Sequence, residues 1–302
     1  MTTIALCIPT YNAGKHWIEV LESIKFQDIQ PQKKIIVDSG SSDDTVALAK
    51  KFGFEVHHIS KQEFNHGKTR QQLVNLAFDT DICVFLTQDA ILSSNCSIKN
   101  LISVFDNENL GIAYGRQLPH KKAKPLEIHA RTYNYPPASN TLVIGDQKTL
   151  GFKVFFCSNS FSAYKLSALK NVGGFPLDSI MGEDAIVAAK MLKAGYKKAY
   201  VATASVYHSH SYSLIEEFKR YFDTRVFHEQ NTWIIKEYGK PTGEGLKFVK
   251  SELLFVLKNS PRSIIKSVTS IFAKWLGYKV GKYYKIIPIT FIKRISMHKS
   301  YW

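Results

Sequence analysis

The N-terminal part of the chain alternates short apolar runs with stretches of helical periodicity. Residues 4–8 (IALCI) form an apolar run that breaks at Pro9, Thr10, Tyr11, Asn12, Ala13 and Gly14, a turn-prone composition. Trp17, Val20, Leu21 and Ile24 then recur at the spacing of one helix face. Residues 34–37 and 55–59 read as two further strands, and 82–86 (ICVFL) as a fully apolar one. Helices are predicted between them at 45–52, with Ser42 or Asp43 as cap and Gly53 as stop, and at 67–78. This β-α-β-α-β-α-β order predicts an α/β fold with a mostly parallel sheet covered on both faces.

After Gly115 the pattern weakens. Residues 116–150 are polar and basic and carry Pro119, Pro125, Pro136 and Pro137, so they read as a long functional loop or a disordered one. Order returns at 154–157. Helices follow at 165–171, before Gly173 and Gly174, and at 183–194, before Gly195. Residues 199–207 read as a strand and 214–238 as one long helix. No apolar run approaches the ~20 residues a spanning helix needs, and Pro288 interrupts the most apolar stretch near the end, 286–292. Residues 1–12 lack the basic start and long apolar stretch of a secretory leader.

Composition adds a division of the chain. With 302 residues, 45% of them hydrophobic, it is long enough for one large domain with an appendage. The net charge is +15, and residues 246–302 carry 12 Lys or Arg against Glu252 alone, which accounts for +11 of it. The expected division is therefore a main domain at 1–212 and a helical, basic region at 213–302. In that region lysines alternate with Phe248, Leu254, Phe255, Ile265, Phe272, Trp275 and Tyr283. Such a segment suits an anionic membrane surface. A solvated helical cap and nucleic-acid binding are the alternatives, but its apolar content exceeds what phosphate binding requires, so no nucleic acid is expected. Cys7, Cys83, Cys96 and Cys157 lack metal-ligand spacing and read as reduced thiols.

The chemistry gathers after the strands, where open parallel sheets bind ligands. Pro9, Thr10, Tyr11 and Asn12 follow the first strand, Asp38 ends the second, and Gln88 and Asp89 follow the fourth. Asp38 is placed to accept the ring N–H of a uracil or thymine base, or to cap the next helix, a role Asp43 and Asp44 suit better. Asp89, directly after an apolar run, needs a cation or strong donors. Glu183 and Asp184 open a helix. They serve there either as acids complementing its dipole or as an acceptor-orienting group and a general base. His208 and His210 share one strand face and suit metal ligation, phosphate contact or plain exposure. Asn65, His66, Gly67, Lys68 and Arg70 at a helix start suit an anion such as a diphosphate. No Walker or GxGxxG pattern is present.

Over residues 4–212 these motifs resemble the family 2 glycosyltransferases, whose GT-A fold is a Rossmann-like nucleotide-diphospho-sugar transferase fold. Ile8 to Asn12 look like the opening donor-site strand of that family, Val37 to Asp43 its base-and-ribose turn, and Gly182, Glu183 and Asp184 its catalytic-base motif. Phe64, Asn65, His66 and Gly67 with Arg70, and Leu86 to Ala90, are similar to bacterial rhamnosyltransferases of surface-polysaccharide (O-antigen) assembly. The resemblance implies a dTDP-L-rhamnose donor, a lipid-linked saccharide acceptor and a cytoplasmic site, peripheral on the inner face of the cell membrane. A UDP-sugar donor is the alternative. It implies single displacement with inversion, Asp184 deprotonating the acceptor while Arg70 and a Mg2+ or Mn2+ ion stabilise the leaving diphosphate. The ion would sit on Asp89 with His208 and His210. The family's metal motif is Asp-x-Asp, and here its first acid is Thr87.

Overall fold

The structure, a computed structural model, describes residues 2–239 and 243–302; Met1 and residues 240–242 of the expected segments lie outside them. Nine strands form one sheet: β1 (Ile4–Thr10), β2 (Lys33–Asp38), β3 (Glu55–His58), β4 (Ile82–Leu86), β5 (Ile91–Leu92), β6 (Leu110–Leu118), β7 (Asn140–Leu142), β8 (Phe161–Lys165) and β9 (Lys197–Tyr207). The order is β3-β2-β1-β4-β8-β6-β9-β5, with β7 beside β9. β3, β2, β1 and β4 are parallel, as the alternating pattern requires. β8 then enters antiparallel between β4 and β6, and β6 and β9 are again parallel. Chain order reverses between β1 and β4, which opens a crevice at their carboxyl ends. Two apolar cores cover the sheet faces, one around Leu6, Ile8 and Trp17, the other around Cys7, Phe85 and Tyr164.

Three expectations change. Residues 116–150 are ordered: β6 runs on to Leu118, and a helix, Pro125–Asn134, and β7 follow. The helix begins at a proline, whose fixed φ suits a first turn. Residues 154–157 end a 3-10 turn, Gly151–Phe155, and the strand is β8 beyond them. The long helix at 214–238 is two, Leu214–Gln230 and Thr232–Tyr238, broken at Asn231.

The C-terminal region is built onto the main domain. Phe222, Val226, Phe227, Ile234, Tyr238 and Ile292 share a core with Phe85, Tyr164 and Ile186. Helices Glu244–Asn259 and Ile264–Gly281 follow, and Gly277 and Gly281 let the second approach the backbone of Leu214–Gln230 at Phe218 and Phe222. Glu252, the lone acid of the basic tail, is fully buried. It accepts from Ser267 Oγ at 2.6 Å and lies 3.6 Å from Lys274 Nζ. That pairing compensates the cost of burying a charge and locks the two tail helices together.

Candidate active site

The ends of β1 and β2 are laced into one rim. Asp38 is 1% exposed and fully engaged. It accepts from Gly40 N, Ser41 N, Ser41 Oγ and Thr10 Oγ1 at 2.5–3.1 Å. The turn folds its own donors onto the carboxylate, so Asp38 shapes the rim of the crevice. Asn12 accepts from Ser42 N at 2.8 Å, and Asp43 from Gly14 N at 3.1 Å, so the two loops hold each other. Tyr11 N donates to Gln88 Oε1 (2.7 Å) and Gln88 Nε2 to Tyr11 O (3.0 Å), joining β1 to β4. Tyr11 itself projects, with Lys61 Nζ 4.4 Å from its ring centroid and 2.7 Å from its hydroxyl. An aromatic face and a cation suit a nucleobase and its phosphates. Lys61 carried no sequence signal.

Asp89, His208 and His210 converge: their ligand atoms lie within 4.8 Å of one another. His208 Nε2 is 3.4 Å from Asp89 Oδ1, and His210 Nε2 is 3.4 Å from Asp89 Oδ2. The two Nε2 atoms are 3.1 Å apart. Burial opposes the Asp89 charge, but the His208 hydrogen bond and the neighbouring imidazoles outweigh it and hold its pKa below the usual carboxylate range. Burial pushes His210 down to about 4, with His208 adding to the shift, so its nitrogen is available to a metal at neutral pH. One carboxylate and two imidazoles this close together could hold a divalent metal ion, the imidazoles favouring a transition-metal ion such as Mn2+ over Mg2+. β6 and β9 shift register at Gly115 and Arg116, a bulge of the kind that re-aims side chains. Gln117, just beyond it, meets His208 Nδ1 at 3.0 Å.

The two acids opening helix Glu183–Lys193 have different surroundings. Asp184 Oδ2 accepts from Asn159 N at 3.1 Å and Oδ1 from Ala185 N at 2.8 Å. Burial, and then the charge of Glu183, push its pKa up to about 7, which suits a general base. Glu183, expected to orient an acceptor, is instead buried and takes Asn159 Nδ2 at 2.9 Å and Arg70 Nη1 at 3.1 Å. Gly182 before it has φ 71°, and a Cβ there would overlap the Phe227 ring. Gln117 Nε2 donates to Ser158 Oγ at 2.8 Å, and Asn159 follows Ser158, so one short segment links the metal-type cluster to the base. Gln117, Ser158 and Asn159 were missed because Gln117 falls in the stretch 116–150 read as loop and Ser158 and Asn159 form no motif.

The segment around Asn65 corrects a further expectation. Asn65 Oδ1 caps helix His66–Leu76 by accepting from Gly67 N and Lys68 N, and Nδ2 donates to Ser179 O at 3.0 Å. The first N–H groups are thus met internally rather than offered to a diphosphate. Gly67 lies under Pro176, where a Cβ would overlap the carbonyl oxygen. Arg70 is buried and paired with Glu183, and His66 is half-buried beside the same acid. A desolvated guanidinium needs a fixed partner. These residues brace the loop that carries Asp184.

The family model described as Glycosyl transferase family 2 matches residues 5–173. The O-antigen chain rhamnosyltransferase RfbN of Salmonella typhimurium is 49% identical over 300 residues, 99% of this chain and 96% of the relative. WbaN of Salmonella anatum, of the same description, is 46% identical over 100% of this chain and 96% of its own length. Among solved structures, a mannosyltransferase of Pyrobaculum calidifontis in complex with GDP-Man and Mn2+ aligns with TM-score 0.60 at 15% identity, covering 92% of this chain and 84% of that one. S. aureus TarS 1–349 aligns with TM-score 0.53 at 14% identity, covering 94% and 92%.

Proposed function

The chain belongs to glycosyl transferase family 2, and from that premise we propose that it transfers L-rhamnose from dTDP-L-rhamnose, with inversion, onto a hydroxyl of a lipid-linked saccharide. The observation that carries the chemistry is Asp184, a carboxylate raised to about 7 at the mouth of a helix. It takes the proton of the acceptor hydroxyl as that oxygen attacks the anomeric carbon. The bond to the nucleoside diphosphate breaks on the opposite side, and its electron pair leaves with the diphosphate. A divalent ion held by Asp89, His208 and His210 would supply positive charge to that leaving group. Tyr11 and Lys61 flank the nucleotide end. The rhamnosyl donor is supported by two full-length relatives that carry that activity in their names.

The acceptor reading places the enzyme on the cytoplasmic face of the membrane as a peripheral protein. No helix among the described residues is long and apolar enough to cross one. Helix Ile264–Gly281 instead exposes Ile265, Val268, Phe272, Trp275 and Leu276 at helical spacing, beside exposed Arg262, Lys266, Lys279 and Lys282. An apolar stripe edged by cations suits an anionic lipid surface.

A thermal-shift screen of dTDP-rhamnose against UDP-sugars, each with and without Mg2+ or Mn2+, followed by a transfer assay, tests the donor. dTDP-rhamnose with metal is expected to give the largest shift. A larger shift and faster turnover with a UDP-sugar would overturn the rhamnosyl assignment.

A further inference from the structure

A tail that only held a membrane would not need to pack against the helix whose Arg70 pairs with Glu183, yet the end of this one does. Beyond helix Ile289–Ile295, Ser296 is fully buried and Met297 N donates to Asp223 Oδ2 at 2.8 Å. Asp223 lies on helix Leu214–Gln230 and is itself fully buried. This clip delivers His298 edge-on to His66, with ring centroids 4.9 Å apart. His66 shares its helix with Arg70, whose guanidinium pairs with Glu183. Segments far apart in sequence, 65–70 and 296–298, therefore meet beside Glu183, and Asn159 ties that acid to Asp184, donating Nδ2 to Glu183 and its N–H to Asp184.

The charges near the pair are few. Asp184 is faced by Glu183, Arg70, Tyr135, Cys157 and Tyr164, and Glu183 by Arg70, His66, His298 and Tyr164. Burial raises the two phenols and the thiol, so they stay neutral. Burial lowers His66 to about 4 and lowers His298 as well, so neither imidazole cancels the Glu183 charge at neutral pH. Arg70, 3.1 Å from Glu183, does so in part, but is a weaker influence on Asp184 than Glu183 is. Low surrounding polarity lets such a fixed charge act strongly on its neighbour.

We propose that Glu183 is a positioning residue, a fixed buried charge tied through Asn159 to the base Asp184, and that residues 296–298 are the part of the C-terminal tail that keeps that charge dry. The proposal rests on Asp184 being the base. It makes the end of the chain a working part of the catalytic centre, separate from any hold on lipid. Loss of His298 admits water around Glu183, screens its field and leaves Asp184 a weaker base.

The experiment compares wild type, Glu183→Gln, His298→Ala and the space-filling His298→Gln. It reads the pH profile of kcat, the KM for donor, liposome flotation, and a 13C-carboxyl NMR titration of Asp184 without substrate. In Glu183→Gln the acid limb and the NMR titration should move down by about one pH unit, with kcat on the alkaline plateau reduced roughly tenfold. His298→Ala should move both in the same direction by less, and His298→Gln should restore them. Donor KM and flotation should not change. Since Glu183→Gln leaves Arg70 unpaired, the double variant Arg70→Met/Glu183→Gln serves if the single one does not fold. An Asp184 titration unmoved in both Glu183→Gln (or the double variant) and His298→Ala would overturn the proposal. If wild type transfers no rhamnose, the proposed function fails, while the NMR titration still decides this inference.

Discussion

His208 Nδ1 lies 3.0 Å from Gln117 Oε1, and that contact decides which imidazole nitrogen faces Asp89. Gln117 Nε2 is committed to Ser158, and Oε1 also accepts from Arg131, so the amide oxygen can only receive a proton from His208. Nδ1 therefore carries a hydrogen, and Nε2 is the nitrogen that faces Asp89 and would serve a metal ion held there.

Gln117→Ala should weaken Mn2+ binding by roughly ten- to a hundredfold, the usual cost of losing a partner that orients a metal ligand. His208→Ala should weaken it further. Calorimetric titration with Mn2+ measures both, and unchanged affinity in each would remove the cation from this cluster.

Asp184→Asn should fold and lose transfer by about 10²–10⁴-fold. Its stability should also depend on pH differently. The Asp184 carboxyl titrates near 3.8 in a model chain and is pushed up to about 7 in the fold, so between those values the folded state holds a proton the unfolded state releases. Raising the pH through that window costs the wild type stability that the asparagine variant keeps. Melting curves should show the variant gaining on wild type from about pH 4 to about pH 7; parallel curves would contradict the raised pKa.

Arg70→Met strands the buried Glu183 charge and should destabilise by about 3–5 kcal/mol. Arg70→Met/Glu183→Gln should recover most of that loss in urea unfolding, since no ion is then left unpaired. If the single variant binds donor as tightly as wild type at permissive temperature, Arg70 is confirmed as a brace and not a phosphate ligand.

Gly67→Ala forces the Pro176 carbonyl away and so displaces the loop leading to Asp184. Overpacking of this kind costs typically about 1–3 kcal/mol. Transfer should drop while the donor-induced thermal shift persists, because the nucleotide rim of Tyr11, Gln88 and Lys61 is untouched.

Phe272→Glu and Trp275→Glu, on the exposed stripe of helix Ile264–Gly281, should abolish flotation with anionic liposomes and leave transfer to a water-soluble acceptor intact. Flotation equal to wild type would place the membrane contact elsewhere or nowhere.

Local pattern was enough for the parallel half of the sheet, because strands such as 4–8 and 82–86 are apolar runs closed by turn residues. It was also enough to single out Asp89, His208 and His210 as candidates, since each follows a strand, whereas Asp184 was singled out mostly by its resemblance to a family motif. Local pattern failed at β8, whose buried Ser162 and Tyr164 interrupt the apolar run, and at helix Pro125–Asn134, whose polar sequence is settled by packing against tail residues such as Phe248 and Phe255.

The site divides the same way. Residue type and position along the chain nominated the candidate groups. Which of them meet was decided only in three dimensions: Asp38 turned inward onto its own loop, Arg70 onto Glu183, and His298 onto His66. The physical reason is burial. A charge removed from water must find a partner, and that partner lies more than a hundred positions away in the case of Arg70 and Glu183, where no local pattern reaches.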